Sequence, residues 1–159
     1  LRLPLVYNTG AYESLEVIKL LDGVVDIYMP DFKFQDGKLA ARYARKCSDY
    51  PAVAAAAIKE MHRQVGELTV DRAGVARRGL IVRHLVMPHN VSGTDRFVRW
   101  VARELSPRTF VNLMAQYRPA HLAASKPDTY PRIARRLSNE EWLAAVQWAQ
   151  QAGLTHWRG

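Results

Sequence analysis

Cysteine is almost absent from this chain: Cys47 is the single thiol in 159 residues. A disulfide within the chain needs two thiols, and a zinc or iron–sulfur centre on cysteine needs several, so neither can be assembled from this sequence's own cysteine. Long apolar runs are missing too, since none approaches the roughly 20 consecutive residues that span a bilayer, and no secretory signal is visible at the start. A cytoplasmic location is the expectation. The five histidines, His62, His84, His89, His121 and His156, show no H-x-x-x-H spacing. Glycine-rich phosphate loops and a G-x-S-x-G nucleophile elbow are also lacking. An initiator methionine is missing as well: Leu1-Arg2-Leu3-Pro4 opens the sequence, which reads as a fragment or a processed chain.

What is present fits one α/β domain. The length and the 48% apolar content allow a real hydrophobic core. Four apolar runs, residues 3–6, 24–29, 80–87 and 110–114, each end in a polar cluster. Separated by helical segments, they predict about four parallel strands with chemistry at their carboxyl ends, where loops and helix N-termini converge. Helices are expected from Glu13-Ser14 to Asp22-Gly23, over 38–46, from Ser48-Asp49-Tyr50-Pro51 to Gly66, after a Thr94 cap, and from a Ser138-Asn139-Glu140-Glu141 capping box to about Gln151. Residues 67–78 read as an inserted β-hairpin around Asp71-Arg72-Ala73-Gly74. A complete eight-stranded barrel takes about 250 residues, so four strands suggest part of one.

The net charge is +8, from 23 Lys and Arg against 15 Asp and Glu. A basic balance can serve nucleic acid. Here Arg42, Arg45, Arg63, Arg96, Arg99 and Arg103 fall on segments with helical apolar spacing and read as solvated helix faces. Arg77-Arg78 and the group from 132 to 136 lack interleaved aromatics, so the pattern does not point to nucleic acid.

The candidate site is the set of polar residues at the strand ends. Asp31 and Lys33 lie two apart, so on extended backbone both project from one side while Phe32 points away. Such a pair can receive ribose hydroxyls and a carboxylate, or be a surface ion pair. Arg83 sits inside an apolar run, where its charge needs a ligand or a partner such as Asp31. His84 points to the opposite face and packs against a helix, and His89 reads as an exposed loop residue. Asn8, Thr9 and Gly10 either approach a ligand closely or form a helix-capping turn, and Tyr117-Arg118-Pro119 is either a rim or a loop start.

The order Tyr7-Asn8-Thr9-Gly10, Pro30-Asp31-Phe32-Lys33, Val82-Arg83-His84-Leu85-Val86-Met87-Pro88 and Asn112-Leu113-Met114-Ala115-Gln116-Tyr117-Arg118-Pro119 resembles the later part of radical S-adenosylmethionine proteins. It looks most like uncharacterised homologues of the pyruvate formate-lyase activating enzyme, with Gly79-Leu80-Ile81-Val82-Arg83-His84-Leu85-Val86 the most specific stretch. The resemblance covers nearly the whole chain and implies that residues 1–159 are the C-terminal part of a single incomplete (β/α) barrel of the radical SAM, TIM-like type. In that family a 4Fe-4S cluster on a C-x-x-x-C-x-x-C loop chelates S-adenosylmethionine and cleaves it reductively, and the 5′-deoxyadenosyl radical abstracts a hydrogen. The resemblance assigns cofactor binding to Asn8, Thr9, Asp31, Lys33, Arg83 and Arg118, the last standing where activating enzymes carry a histidine near the adenosine.

The cluster ligands are then expected upstream of this chain, which by itself should be inactive. Implied partners are a glycyl-radical protein or a small-molecule substrate, with reduced flavodoxin or ferredoxin as electron donor. The alternative is a non-catalytic half-barrel module that binds a nucleotide-like ligand or a protein.

Overall fold

The computed structural model describes residues 3–44 and 47–158. Arg45 and Lys46, expected on a helix, lie outside the described residues, as do Leu1, Arg2 and Gly159. The chain runs β1 (Val6–Thr9), α1 (Leu15–Leu20), β2 (Ile27–Pro30), α2 (Gly37–Tyr43), α3 (Tyr50–Val65), β3 (Thr69–Val70), β4 (Ala76–Leu85), α4 (Thr94–Glu104), β5 (Phe110–Met114), α5 (Leu122–Ser125), α6 (Asn139–Gln151) and β6 (Trp157–Arg158), with 3-10 turns at Pro88–Asn90 and Pro131–Ile133. Among the described residues no helix is long and apolar enough to cross a membrane.

The strands form one sheet in the order β1-β2-β4-β5-β6, all parallel, with β3 antiparallel to β4 as the expected hairpin. Along the parallel path each strand lies beside its predecessor in the chain, so the order never reverses. Successive side chains of a strand point to opposite faces, and here the two faces differ. Tyr28, Leu80, Val82, His84, Val111 and Leu113 are all buried on the side against which α3 and α4 pack, with α1 on α3 and α6 on α4. Met29, Asp31, Ile81, Arg83, Leu85, Phe110, Asn112 and Met114, on the other side, are only partly covered.

Polar side chains stitch the covered side. The Tyr28 hydroxyl donates to Gln64 Oε1 at 2.7 Å, and Gln64 Nε2 donates to the Ile18 carbonyl at 2.8 Å, so β2, α3 and α1 share one buried chain of bonds. His84, fully buried, stacks on Phe97 at 4.1 Å. Its Nδ1 lies 2.7 Å from the Phe32 carbonyl and its Nε2 3.0 Å from the Thr94 hydroxyl. A carbonyl can only accept, so Nδ1 carries the proton and Nε2 accepts from Thr94.

Helix ends follow local chemistry. The Asp36 carboxylate accepts from the Lys38 and Leu39 N–H groups at the start of α2, and Gly66, at φ 70°, closes α3. The capping box opens α6 as expected, the Ser138 hydroxyl accepting from the Glu141 N–H. Glu141 also accepts both terminal nitrogens of Arg135, at 2.8 Å each, and the backbone N–H of His89 at 2.7 Å. Gly79 has φ 124°, and a Cβ there would stand 2.4 Å from the Glu67 carbonyl oxygen, so the hairpin crosses where only glycine fits.

Several expectations need correcting. The first strand is not residues 3–6 but Val6–Thr9, because Asp26 accepts the Leu5 N–H at 2.8 Å and sets Val6 opposite Ile27. Tyr7-Asn8-Thr9 are therefore inside the strand rather than after it. Val24 and Val25 belong to the turn closing α1, where both bond to the Leu21 carbonyl, so β2 starts at Ile27. The strand expected at 80–87 runs from Ala76 to Leu85 because it continues the hairpin. Gly93, at φ 73°, is the cap of α4, and Thr94 sits one place inside, its hydroxyl turned to His84. A fifth parallel strand, β6, was not expected. Of the arginines placed on solvated helix faces, Arg63 pairs with Asp22 and Glu60, and Arg99 with Asp95.

Two outcomes follow from this packing. Burial pushes the His84 pKa from 6.5 down to about 4. Above pH 6.5 both states are neutral, and as pH falls from 6.5 towards 4 the unfolded chain takes up a proton that the folded chain refuses. Stability should therefore fall by about 3 kcal/mol across that window. Urea unfolding at the two ends of the window, for wild type and His84→Gln, should show a much smaller drop in the variant; equal drops would refute the assignment. Secondly, β1 pairs with β2 alone among the described residues, and Leu3, Leu5 and Val6 are 74%, 52% and 47% exposed. An apolar unpaired edge favours self-association, so sedimentation velocity should show concentration-dependent association that Val6→Lys reduces, and a clean monomer would count against it.

Candidate functional site

Alternation along the strands brings the predicted residues together. Asp31, just past β2, bridges to Arg83 of β4, and Arg83 stands opposite Asn112 of β5. All three project from the partly covered face at the carboxyl edge. Arg83 Nε donates to Asp31 Oδ1 at 2.6 Å, Lys33 Nζ donates to Asp31 Oδ2 at 2.7 Å, and an Arg83 terminal nitrogen donates to Asn8 Oδ1 at 2.8 Å. The two pairings that the spacing left open thus share one carboxylate. The side chains of Asp31 and Arg83 are 23% and 24% exposed, enough for a solute to reach them. One carboxylate and two cations leave a positive excess at this point.

A residue that the sequence did not mark fixes the backbone here. Tyr50, at the start of α3, is buried, and its hydroxyl donates to the Asp31 carbonyl at 2.8 Å, with the Gly10 carbonyl at 3.1 Å, while accepting the Lys33 N–H at 2.9 Å. Burial pushes its pKa up, so it stays a neutral donor. One phenol therefore ties the turn after β1 to the loop after β2, and so sets Asp31 and Lys33 relative to β1. Nothing distinguishes Tyr50 locally from any aromatic residue at a helix start.

The cluster borders a cavity of about 450 Å³, with Asp31, Lys33 and Arg83 as its polar wall and Leu85, Met87 and Met114 as an apolar one. That size and mix suit a small ligand, since such sites are mostly apolar with a few convergent polar groups. The carboxylate can accept hydroxyls, and the guanidinium and ammonium can hold an anionic oxygen. Among the described residues no group of three His, Cys, Asp or Glu side chains could hold a metal ion, so an iron–sulfur cluster does not fit this chain's own residues.

Three predicted residues stand outside the cavity lining. Asn8 is joined to the cluster only through Arg83. Thr9 points to the opposite face, its hydroxyl donating to Glu13 and accepting the Ala11 N–H at 3.1 Å, which is the turn alternative weighed for it. Arg118 is exposed, and Gln116, two residues earlier, lines the cavity instead. The reason is local: Tyr117 turns its hydroxyl to the Ile133 carbonyl at 2.7 Å, which leads the chain away before residue 118. Tyr43 and Gln116 line the cavity without having been assigned to it: Gln116 opens the polar cluster after β5, whereas Tyr43 arrives only through the seating of α2.

Among known proteins, an uncharacterised protein of Methanocaldococcus jannaschii is 33% identical over 153 residues, covering 96% of this chain and 39% of that relative. The chain thus spans well under half the length of the curated relative it matches. No family model matches it, and no solved structure does.

Removing the Tyr50 hydroxyl should disturb the site without emptying the core. Tyr50→Phe leaves the Lys33 N–H without its partner and should cost about 1–3 kcal/mol. Hydrogen exchange should show faster exchange at Lys33, with protection in α3 and β4 kept; unchanged exchange at Lys33 would refute the role.

Proposed function

We propose that this chain supplies one wall of an S-adenosylmethionine site in a radical enzyme, as the C-terminal part of an incomplete (β/α) barrel of the radical SAM type. The observation that carries this is the Asp31–Arg83–Lys33 cluster on the open face of a sheet whose helices pack on the other. A singly wound parallel order supports a barrel segment, because a barrel adds each strand beside the last with its helix outside. The resemblance of the same positions to that family supports the chemistry.

The described residues suit the small molecule. Its amino-acid carboxylate matches the Arg83 and Lys33 cations, its ribose hydroxyls match the Asp31 carboxylate, and its apolar surface matches Leu85, Met87 and Met114. Held there, S-adenosylmethionine would supply hydrogen-abstraction chemistry: an electron from a donor outside this chain would break its sulfonium S–C5′ bond, releasing methionine and leaving the unpaired electron on the 5′ carbon. In this reading Arg83 anchors and orients the ligand, Tyr50 holds Asp31 and Lys33 in place, and the apolar wall excludes water. In this reading an iron–sulfur cluster would be held by polypeptide outside this chain.

A second reading, a non-catalytic half-barrel module, draws on one observation: Asp31 accepts from both cations at normal distances, as a purely structural triad would. Calorimetric titration of the chain with S-adenosylmethionine tests whether the cluster is a binding site or a purely structural triad. Binding is expected, weakened at least tenfold in Arg83→Met and in Asp31→Asn, a loss of about 1.4 kcal/mol or more. Equal affinity in the variants, or no binding by the wild-type chain, would overturn the proposal.

A further inference from the structure

A second and larger cavity, of about 830 Å³, opens beside the first. It lies between α2 and the excursion 115–137 that joins β5 to α6, and its lining includes Arg42, Tyr43, His121, Leu122, Tyr130 and Ile133. Tyr43 lines both cavities, so the two adjoin at this residue. The Tyr43 and Tyr130 rings stand 6.3 Å apart, inclined at 53°. Arg42 is part of the same lining: its guanidinium lies 5.7 Å from the centre of the Tyr43 ring, and one terminal nitrogen donates to the Thr129 carbonyl at 3.1 Å.

Three features of this cavity point to the same kind of occupant. The Arg42 guanidinium is a cation, His121 stands beside it in the lining, and among the described residues no carboxylate lines the cavity, so its charge suits an anion. Its walls are aromatic and aliphatic, with Ile133 buried and Leu122 51% exposed, so they suit a flat apolar body. His121 is held at φ 47°, ψ −122°, a conformation that costs a non-glycine residue on the order of 1–3 kcal/mol and that gathers at ligand clamps. The volume lies within the range of sites for small organic ligands.

We infer that this cavity is the substrate site, and that the substrate is a small molecule with a planar apolar body and one anionic group, a carboxylate or a phosphate. The planar body lies against the wall formed by Tyr43, Tyr130 and Ile133, and the anion meets the Arg42 guanidinium, whose fork matches two oxygens at once. Its role as a substrate site rests on the proposed function, because the shared residue Tyr43 sets it next to the wall assigned to S-adenosylmethionine. Its binding chemistry does not.

Calorimetric titration of the chain with naphthylacetate, naphthyl phosphate and the neutral naphthylacetamide tests this. One or both anions should bind, and the amide at least tenfold more weakly; the better anion decides between carboxylate and phosphate. Arg42 is exposed, so Arg42→Gln should keep the fold, weaken the anions at least tenfold and leave the amide unchanged. Tyr130→Ala should weaken all three. Arg83→Met, which is expected to lose S-adenosylmethionine, should bind the naphthyl anions as wild type does. Failure of both anions to bind, or equal binding of anion and amide, overturns the inference whatever S-adenosylmethionine does. Anion binding by a chain that does not bind S-adenosylmethionine overturns the substrate role while sparing the cavity's chemistry.

Discussion

The two-residue period of a β-strand is the constraint from which both core and site follow. Once Leu80, Val82 and His84 are committed to α3 and α4, Ile81, Arg83 and Leu85 must face the other way, with no freedom to change sides singly. The parallel registers carry that choice across the sheet, from Asp31 through Arg83 to Asn112. A slip of one residue would send a guanidinium into the helix layer. The apolar packing on one side therefore decides where the charges on the other side stand.

Magnitudes separate what holds the fold from what furnishes the site. Removing a large buried apolar side chain such as Leu80 or Phe97, both fully buried, costs about 2–5 kcal/mol. A partly exposed ion pair contributes about 0–1 kcal/mol, and Asp31, Lys33 and Arg83 make only such pairs. The cluster is thus a weak contributor to stability that stands on a strongly held sheet, so its chemistry can be altered without unfolding the chain. Tyr50 belongs to both categories, buried with the core while its hydroxyl sets the site's backbone.

Much of this was legible where the signal was local. The strand Phe110–Met114, the end of α3 at Gly66 and the capping box at Ser138 stand where a short stretch of sequence places them. Asp31, Lys33 and Arg83 meet because strand spacing already aimed them at one edge, and His84 turns to a helix for the same reason. What was not legible depends on residues far apart in the chain. The start of β1 is set by Asp26 on the Leu5 N–H, and the cap of α4 shifts because Thr94 is claimed by His84. The strand β6 is two residues long, too short to show any period. Tyr50 and Tyr43 carry no local mark, and of the polar cluster after β5 it is Gln116 that reaches the cavity, Arg118 falling outside because Tyr117 bonds the Ile133 carbonyl.

Glu141 shows how such distant dependence works at the carboxyl edge. Its carboxylate completes the capping box, holds Arg135, and takes the N–H of His89, 52 residues earlier in the chain. One carboxylate serves all of these donors, so the loop after β4 and the first turn of α6 are tied to each other. Any shift that draws His89 away also frays the helix, and a helix that frays loosens the loop. With His89 also bonded to Arg132 and Arg135, the corner behaves as a clamp, and through it the edge of the sheet that carries the cluster is braced against α6.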